Sequence, residues 1–187
     1  MQTRLVVRTM AGVGMLMLLA GACSPKPKAA KQADLQEAAR ATLTDMEQLD
    51  PSLRERIAKA EGMVLFPEVG KGAFVVGGAY GRGVVYERGK MIGYADLTSA
   101  TVGLQAGGQS YDELILFENA APLDEFRRGQ LRFTANMSAV ALTSGVAATT
   151  PYQNGVAVFV RPRGGLMAEA AVGGQSFRFV PLEEAQQ

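Results

Sequence analysis

The side chains in this chain that could do chemistry are few, and what is missing narrows the field first. Among its 187 residues there is no histidine and a single cysteine, Cys23. Ser-His-Asp triads, Cys-His nucleophile pairs and metal sites built on histidine or on several cysteines are therefore out of reach. Carboxylates remain, and three pairs stand side by side: Asp112 with Glu113, Asp124 with Glu125, and Glu183 with Glu184. Adjacent residues on a strand point to opposite faces, so such pairs read as solvated surface rather than as an acid facing a base. Glycine-rich stretches raise another chemistry, phosphate binding, at GAYGRG (78–83), GGQSY (107–111) and GGQSF (173–177). A phosphate loop runs from a strand into a helix N-terminus. Here GGQSY leads into ELILF and GAYGRG into VVY, both strand-like, so Gly77, Gly78, Gly93, Gly103, Gly107, Gly108, Gly173 and Gly174 are read as bends inside strands. No catalytic residue, cofactor or metal ligand is assigned.

The cysteine has a different chemistry. Arg4 and Arg8 precede a charge-free apolar run from Thr9 to Ala20, about 12 residues against the ~20 that a membrane-spanning helix needs. Small residues follow it, and LLAGACS resembles a bacterial lipobox, in which the cysteine receives a diacylglycerol thioether, becomes the first residue after cleavage and is then N-acylated. The resemblance implies cleavage between Ala22 and Cys23, with 1–22 as a lipoprotein signal peptide. Each buried methylene contributes about 0.8 kcal/mol, and two or more acyl chains hold a protein on a membrane stably. Ser24 after the cysteine resembles outer-membrane sorting, which implies a periplasm-facing, lipid-anchored protein. The next residues, through Ala33, carry Pro25, Pro27 and three lysines without a large apolar side chain, and 23–33 is read as a flexible tether.

Removal of the leader takes two arginines and no acid, leaving 17 basic against 18 acidic side chains. A net charge of −1 carries no nucleic-acid footprint. Residues 34–182 make one domain with enough apolar content for its own core, and 183–187 a short tail. Asp34 with Glu37 resembles a capping box, and Leu35, Ala39, Leu43, Met46 and Leu49 recur at helical spacing. Asp50 as cap and Pro51 at the first position start a second helix, with Leu53, Ile57 and Ala60 as its stripe and Gly62 at its end.

From Met63 the pattern turns to strands: MVLF, AFVVGGAY and GVVYERGKMIGYA, the last with a hairpin tip at Arg88, Gly89 and Lys90. It continues through TVGLQAGGQS, ELILFE, QLRFTANMSAVAL, GVAVFVRP, GLMAEAAVGG and SFRFVP. One short helix near 121–128 interrupts them, opened by Pro122 and closed by Gly129. The fold expected is α+β and strand-dominated: a strongly curved antiparallel sheet, with barrel closure left open, and helices packed at one side.

The stretches KAEGMVLFPEVGKGAFVVGGAYGRGVV (59–85), VGLQAGGQSYDELILF (102–117) and GGLMAEAAVGG (164–174) resemble the SYLF domain family. The resemblance spans about Ile57 to Phe179. It implies lipid binding, as in bacterial envelope proteins and eukaryotic membrane-trafficking and actin-associated proteins. Lys71 matches the family's lysine before the glycine-rich strands, and Arg82, Arg161 and Arg163 stand at turns or strand ends; these four are the candidates for lipid-headgroup contact. The chain departs from the family at Glu169 and Gly173, where glycine and glutamate are more usual. It departs again at 34–50, where five acids stand against Arg40 in place of a basic amphipathic helix. The expected function is thus a non-enzymatic lipoprotein that binds membrane lipids; the alternative is an envelope scaffold holding a protein partner.

Overall fold

The runs MVLF, ELILF and VAVFV lie side by side at the centre of one sheet because each of these strands buries both of its faces. A computed structural model describes residues 28–72, 77–101, 109–131, 133, 139–163 and 174–185. Its strands are β1 (Gly62–Gly72), β2 (Gly77–Glu87), β3 (Lys90–Thr101), β4 (Gln109–Phe117), β5 (Val140–Ala141), β6 (Val156–Pro162) and β7 (Gln175–Pro181). They form a single seven-stranded sheet in the order β5-β6-β4-β1-β2-β3-β7. Every pairing is antiparallel except β5 with β6.

Alternation along the central strands divides the apolar residues between two cores. Leu65, Leu114, Leu116, Ala157 and Phe159 face one side. Val64, Phe66, Ile115, Phe117, Val156, Val158 and Val160 face the other. The first side is covered by α1 (Lys28–Leu49), α2 (Leu53–Lys59), α4 (Val146–Thr149) and α5 (Leu182–Ala185). The second is covered by α3 (Ala120–Arg127), whose Leu123 and Phe126 join Phe66, Phe117, Phe133 and Phe177 in an aromatic cluster. Helices therefore cover both faces of the sheet rather than one.

The sheet is curled but open. Among the described residues β5 and β7 are its edges, and a two-residue β5 offers too short a ladder to seal a barrel. Leu131, Phe133 and Ala139, expected within a long strand, are outside any strand, while Val140 and Ala141 of the same run pair with β6. The hairpin tip falls at Arg88 and Gly89, with φ of 48° and 75°, the left-handed pair that a two-residue turn between twisted strands requires. Pro67 lies where β1 shifts register against both neighbours, a place that tolerates the missing N–H. Gly93 does sit where backbones crowd. A Cβ there would collide with the Val180 carbonyl oxygen and stand 2.6 Å from Cε2 of Phe179. GGQSY and GGQSF lead into β4 and β7, and GAYGRG lies within β2, so none of the three opens a helix.

Helix α1 begins at Lys28, six residues before the expected start, so the second half of the segment read as a tether is helical. Ala29, Ala30, Lys31, Gln32 and Ala33 are all good helix formers, which the lack of large apolar residues had masked. Asp50 does not cap α2 directly. Its Oδ1 accepts from the Ser52 N–H (3.0 Å) and hydroxyl (2.7 Å), forming a turn that moves the helix start to Leu53. Its Oδ2 accepts from the Ala147 N–H at 2.7 Å, tying α2 to α4. Asn119 caps α3 through the Ala121 N–H, and Gly129 follows with φ of 66°.

Candidate functional site

Helix α1 crosses the sheet because Leu35, Ala39, Leu43 and Met46 form one apolar stripe against the first core. A polar pin fixes where it lies. Asp112, on β4, points to the α1 side and is fully buried. Arg161 donates to its Oδ2 through Nε (2.7 Å) and Nη2 (2.6 Å), and Arg163 donates to Oδ1 through Nε at 2.5 Å. Arg161 reaches on to Asp45 of α1 at 3.0 Å, and Arg163 comes within 3.4 Å of the Thr42 hydroxyl. Burial pushes the Asp112 carboxyl above the ordinary carboxylate range, while the hydrogen bonds and charges of the two arginines pull it back only in part.

Glu113, the next residue, points into the opposite core and is also fully buried, 2.9 Å from Nε2 of Gln175. The same amide nitrogen stands 3.4 Å from the Tyr111 hydroxyl. Burial and the Glu113 charge push the Tyr111 phenol well above its usual value. The expectation of solvated surface is thus corrected at Asp112 and Glu113: each acid is held inside by polar partners distant in sequence. They face apart across the sheet, which leaves no acid and base aimed at one reacting atom.

Above the pin, between α1 and the β1–β2 ladder, lies an open cleft of about 520 Å³. Helix α1 supplies Asp34 and Leu35 to its wall, β1 supplies Pro67, Glu68 and Gly70, and β2 supplies Tyr80 and Arg82. Arg163 closes one end. Tyr80 and Arg82 stand two apart on β2 and so share a face, both exposed. Arg82 lies opposite Asp96 in the β2–β3 ladder, 3.4 Å from its carboxylate, and the Tyr80 hydroxyl is 3.3 Å from the same group. Burial and the Asp96 charge raise the Tyr80 phenol, which stays neutral and polar at its tip.

The four sequence candidates are placed differently. Arg82 and Arg163 line the cleft together, with side chains 44% and 37% exposed. Arg161 is only 23% exposed and is committed to Asp112 and Asp45, so it positions α1 rather than facing solvent. Lys71 follows Gly70 at the end of β1, and its side chain lies outside the described residues, as do Cys23, Gly103, Gly107, Gly108, Gly173 and most of 164–174. Sequence reasoning missed Tyr80, Glu68 and Asp34; the i, i+2 spacing of Tyr80 and Arg82 was the available signal. Among the described residues no helix is long and apolar enough to cross a membrane, and no group of acids or thiols is arranged to hold a metal. No protein-family model matches this chain, and no curated protein matches it.

Proposed function

We propose that this chain is a lipid-anchored bacterial envelope protein, resembling the SYLF domain family, whose domain binds lipid at the membrane surface without catalysing a reaction. The observation that carries this reading is the cleft: it sets two guanidinium groups, Arg82 and Arg163, beside an apolar wall of Leu35, Pro67 and Tyr80. Such a wall suits the glycerol and first methylenes of an amphiphile, and guanidinium suits its phosphate. The anchor supports it. Five residue steps separate Cys23 from Lys28, a reach of at most ~18 Å, and Asp34 and Leu35 lie about 10 Å further along α1. An acylated Cys23 would hold the cleft within roughly 30 Å of the outer-membrane surface. With 17 basic and 18 acidic side chains, the mature chain has no general attraction to an anionic bilayer, so recognition falls to a local site.

Metabolic labelling with a clickable fatty acid tests the anchor: label should appear on the wild-type chain and be absent from Cys23→Ser. Co-sedimentation of the chain from Ser24 onward with phospholipid vesicles tests the domain. Binding that never exceeds an inert control protein across phospholipids and lipopolysaccharide would sink the lipid-binding half and leave the anchor standing.

A further inference from the structure

The cleft carries charges of both signs. Arg82 and Arg163 are opposed by Glu68 on β1 and Asp34 on α1. Glu68 is exposed and makes no ion pair among the described residues, while each arginine already has one carboxylate partner and keeps a third or more of its side chain in solvent. Tyr80 lines the same cleft, 53% exposed and one of two large apolar side chains exposed among the described residues. Its cross-strand partner on β1 is Gly70, where a Cβ would have nothing within 4 Å. A bare glycine thus leaves the space beside the tyrosine ring open, and an aromatic face next to carboxylates attracts an ammonium.

We infer that the cleft takes a zwitterionic phospholipid headgroup, its phosphate held by Arg82 and Arg163 and its ammonium by Glu68 and Asp34 against the Tyr80 ring. The inference rests on the lipid-binding reading above and narrows it to one headgroup class. A purely anionic headgroup would meet the arginines and be repelled by both acids; a cationic amphiphile would meet the reverse. A headgroup with phosphate and ammonium a few ångströms apart answers both, and the uncharged remainder of the lipid lies along Leu35 and Pro67.

The test uses the mature chain purified from its own membranes, exchanged into mild detergent with equimolar phosphatidylethanolamine and phosphatidylglycerol and weighed by native mass spectrometry. Phosphatidylethanolamine should be retained about fivefold over phosphatidylglycerol, the ratio that one added ammonium contact provides. Glu68→Gln should bring the ratio to about one, Arg82→Gln should lower retention of both lipids, and Gly70→Phe should abolish retention with an unchanged melting temperature. Wild-type retention that is equal for the two lipids, or greater for phosphatidylglycerol, overturns the headgroup assignment while leaving lipid binding intact, as does a ratio that Glu68→Gln does not move. Retention no greater than that of Gly70→Phe overturns both. Soluble phosphoethanolamine is the separate arm: if it binds and no lipid is retained, the ligand is a free zwitterion and the lipid assignment falls.

Discussion

Replacing Arg161 by methionine isolates the pin that seats α1. Methionine keeps most of the length and apolar stem of the side chain and removes its charge. Arg161 supplies two of the three close N–H contacts to Asp112, which has no solvent exposure of its own. Breaking a buried pair from one side costs roughly 3–5 kcal/mol because the remaining charge is left in a low dielectric. Arg163 still holds Oδ1, which places the expected loss near the lower end, about 3 kcal/mol. The contact to Asp45, 53% exposed, adds well under ~1 kcal/mol. For a domain of this size, about 3 kcal/mol lowers the melting temperature by roughly 6–12 °C.

The pH dependence separates this cause from lost packing. Asp112 is already raised in the folded protein, so its contribution to stability is complete below the ordinary aspartate value of ~3.9 and is lost as pH rises through the folded value. Removing a neighbouring cation moves that value further up. The difference between wild type and Arg161→Met should therefore be larger at pH 8 than at pH 4.5 in urea denaturation followed by circular dichroism. Adding Asp112→Asn to Arg161→Met should recover much of the loss at pH 8, since a neutral amide carries no buried charge. A loss equal at both pH values, with a double variant no more stable than the single one, would refute the reasoning.

Two further outcomes are expected from the same measurement. Gly93→Ala should cost about 2–3 kcal/mol, because its Cβ collides with the Val180 carbonyl and forces β3 from β7, whereas Gly70→Ala, with open space around it, should cost less than ~0.5 kcal/mol. Asp50→Ala should cost about 2 kcal/mol at pH 7 by stripping the Ala147 and Ser52 donors of their acceptor. Burial opposes Asp50 ionisation, but those hydrogen bonds and one from Gly145 outweigh it and hold the carboxyl below the usual range. Its stabilisation is thus present above ~3.9 and lost as pH falls through the folded value, so the gap between Asp50→Ala and wild type should close in acid.

What could be read from the chain was whatever depends on near neighbours. The apolar runs of β1, β4 and β6 announce strands, though not that helices would cover both of their faces, and Pro122 and Gly129 frame α3 within about two residues. The burial of Asp112 could not be read, since its arginines stand 49 and 51 residues away and nothing in DELILF points to them. Glu113 is hidden for the same reason, with Gln175 62 residues distant. Helices α4 and α5 have four residues each, too few for a period to show. Of the cleft, the arginines were visible as types, but that Arg82 and Arg163 meet while Arg161 turns inward depends on where α1 lies, which is decided by the packing of a helix on a sheet.

The strand order also sets a sequence of assembly. β1, β2 and β3 follow one another in the chain and in the sheet, so this meander can form from contiguous chain. β4 must then return past two strands to lie along β1, and β6 has nothing to join until β4 is seated. Until then β1, with the buried Val64, Leu65 and Phe66, stands at a raw margin, open to any neighbouring chain with a compatible ladder. Closing so long an excursion is slow, which makes the interval before β4 docks the period in which this protein is most prone to aggregate.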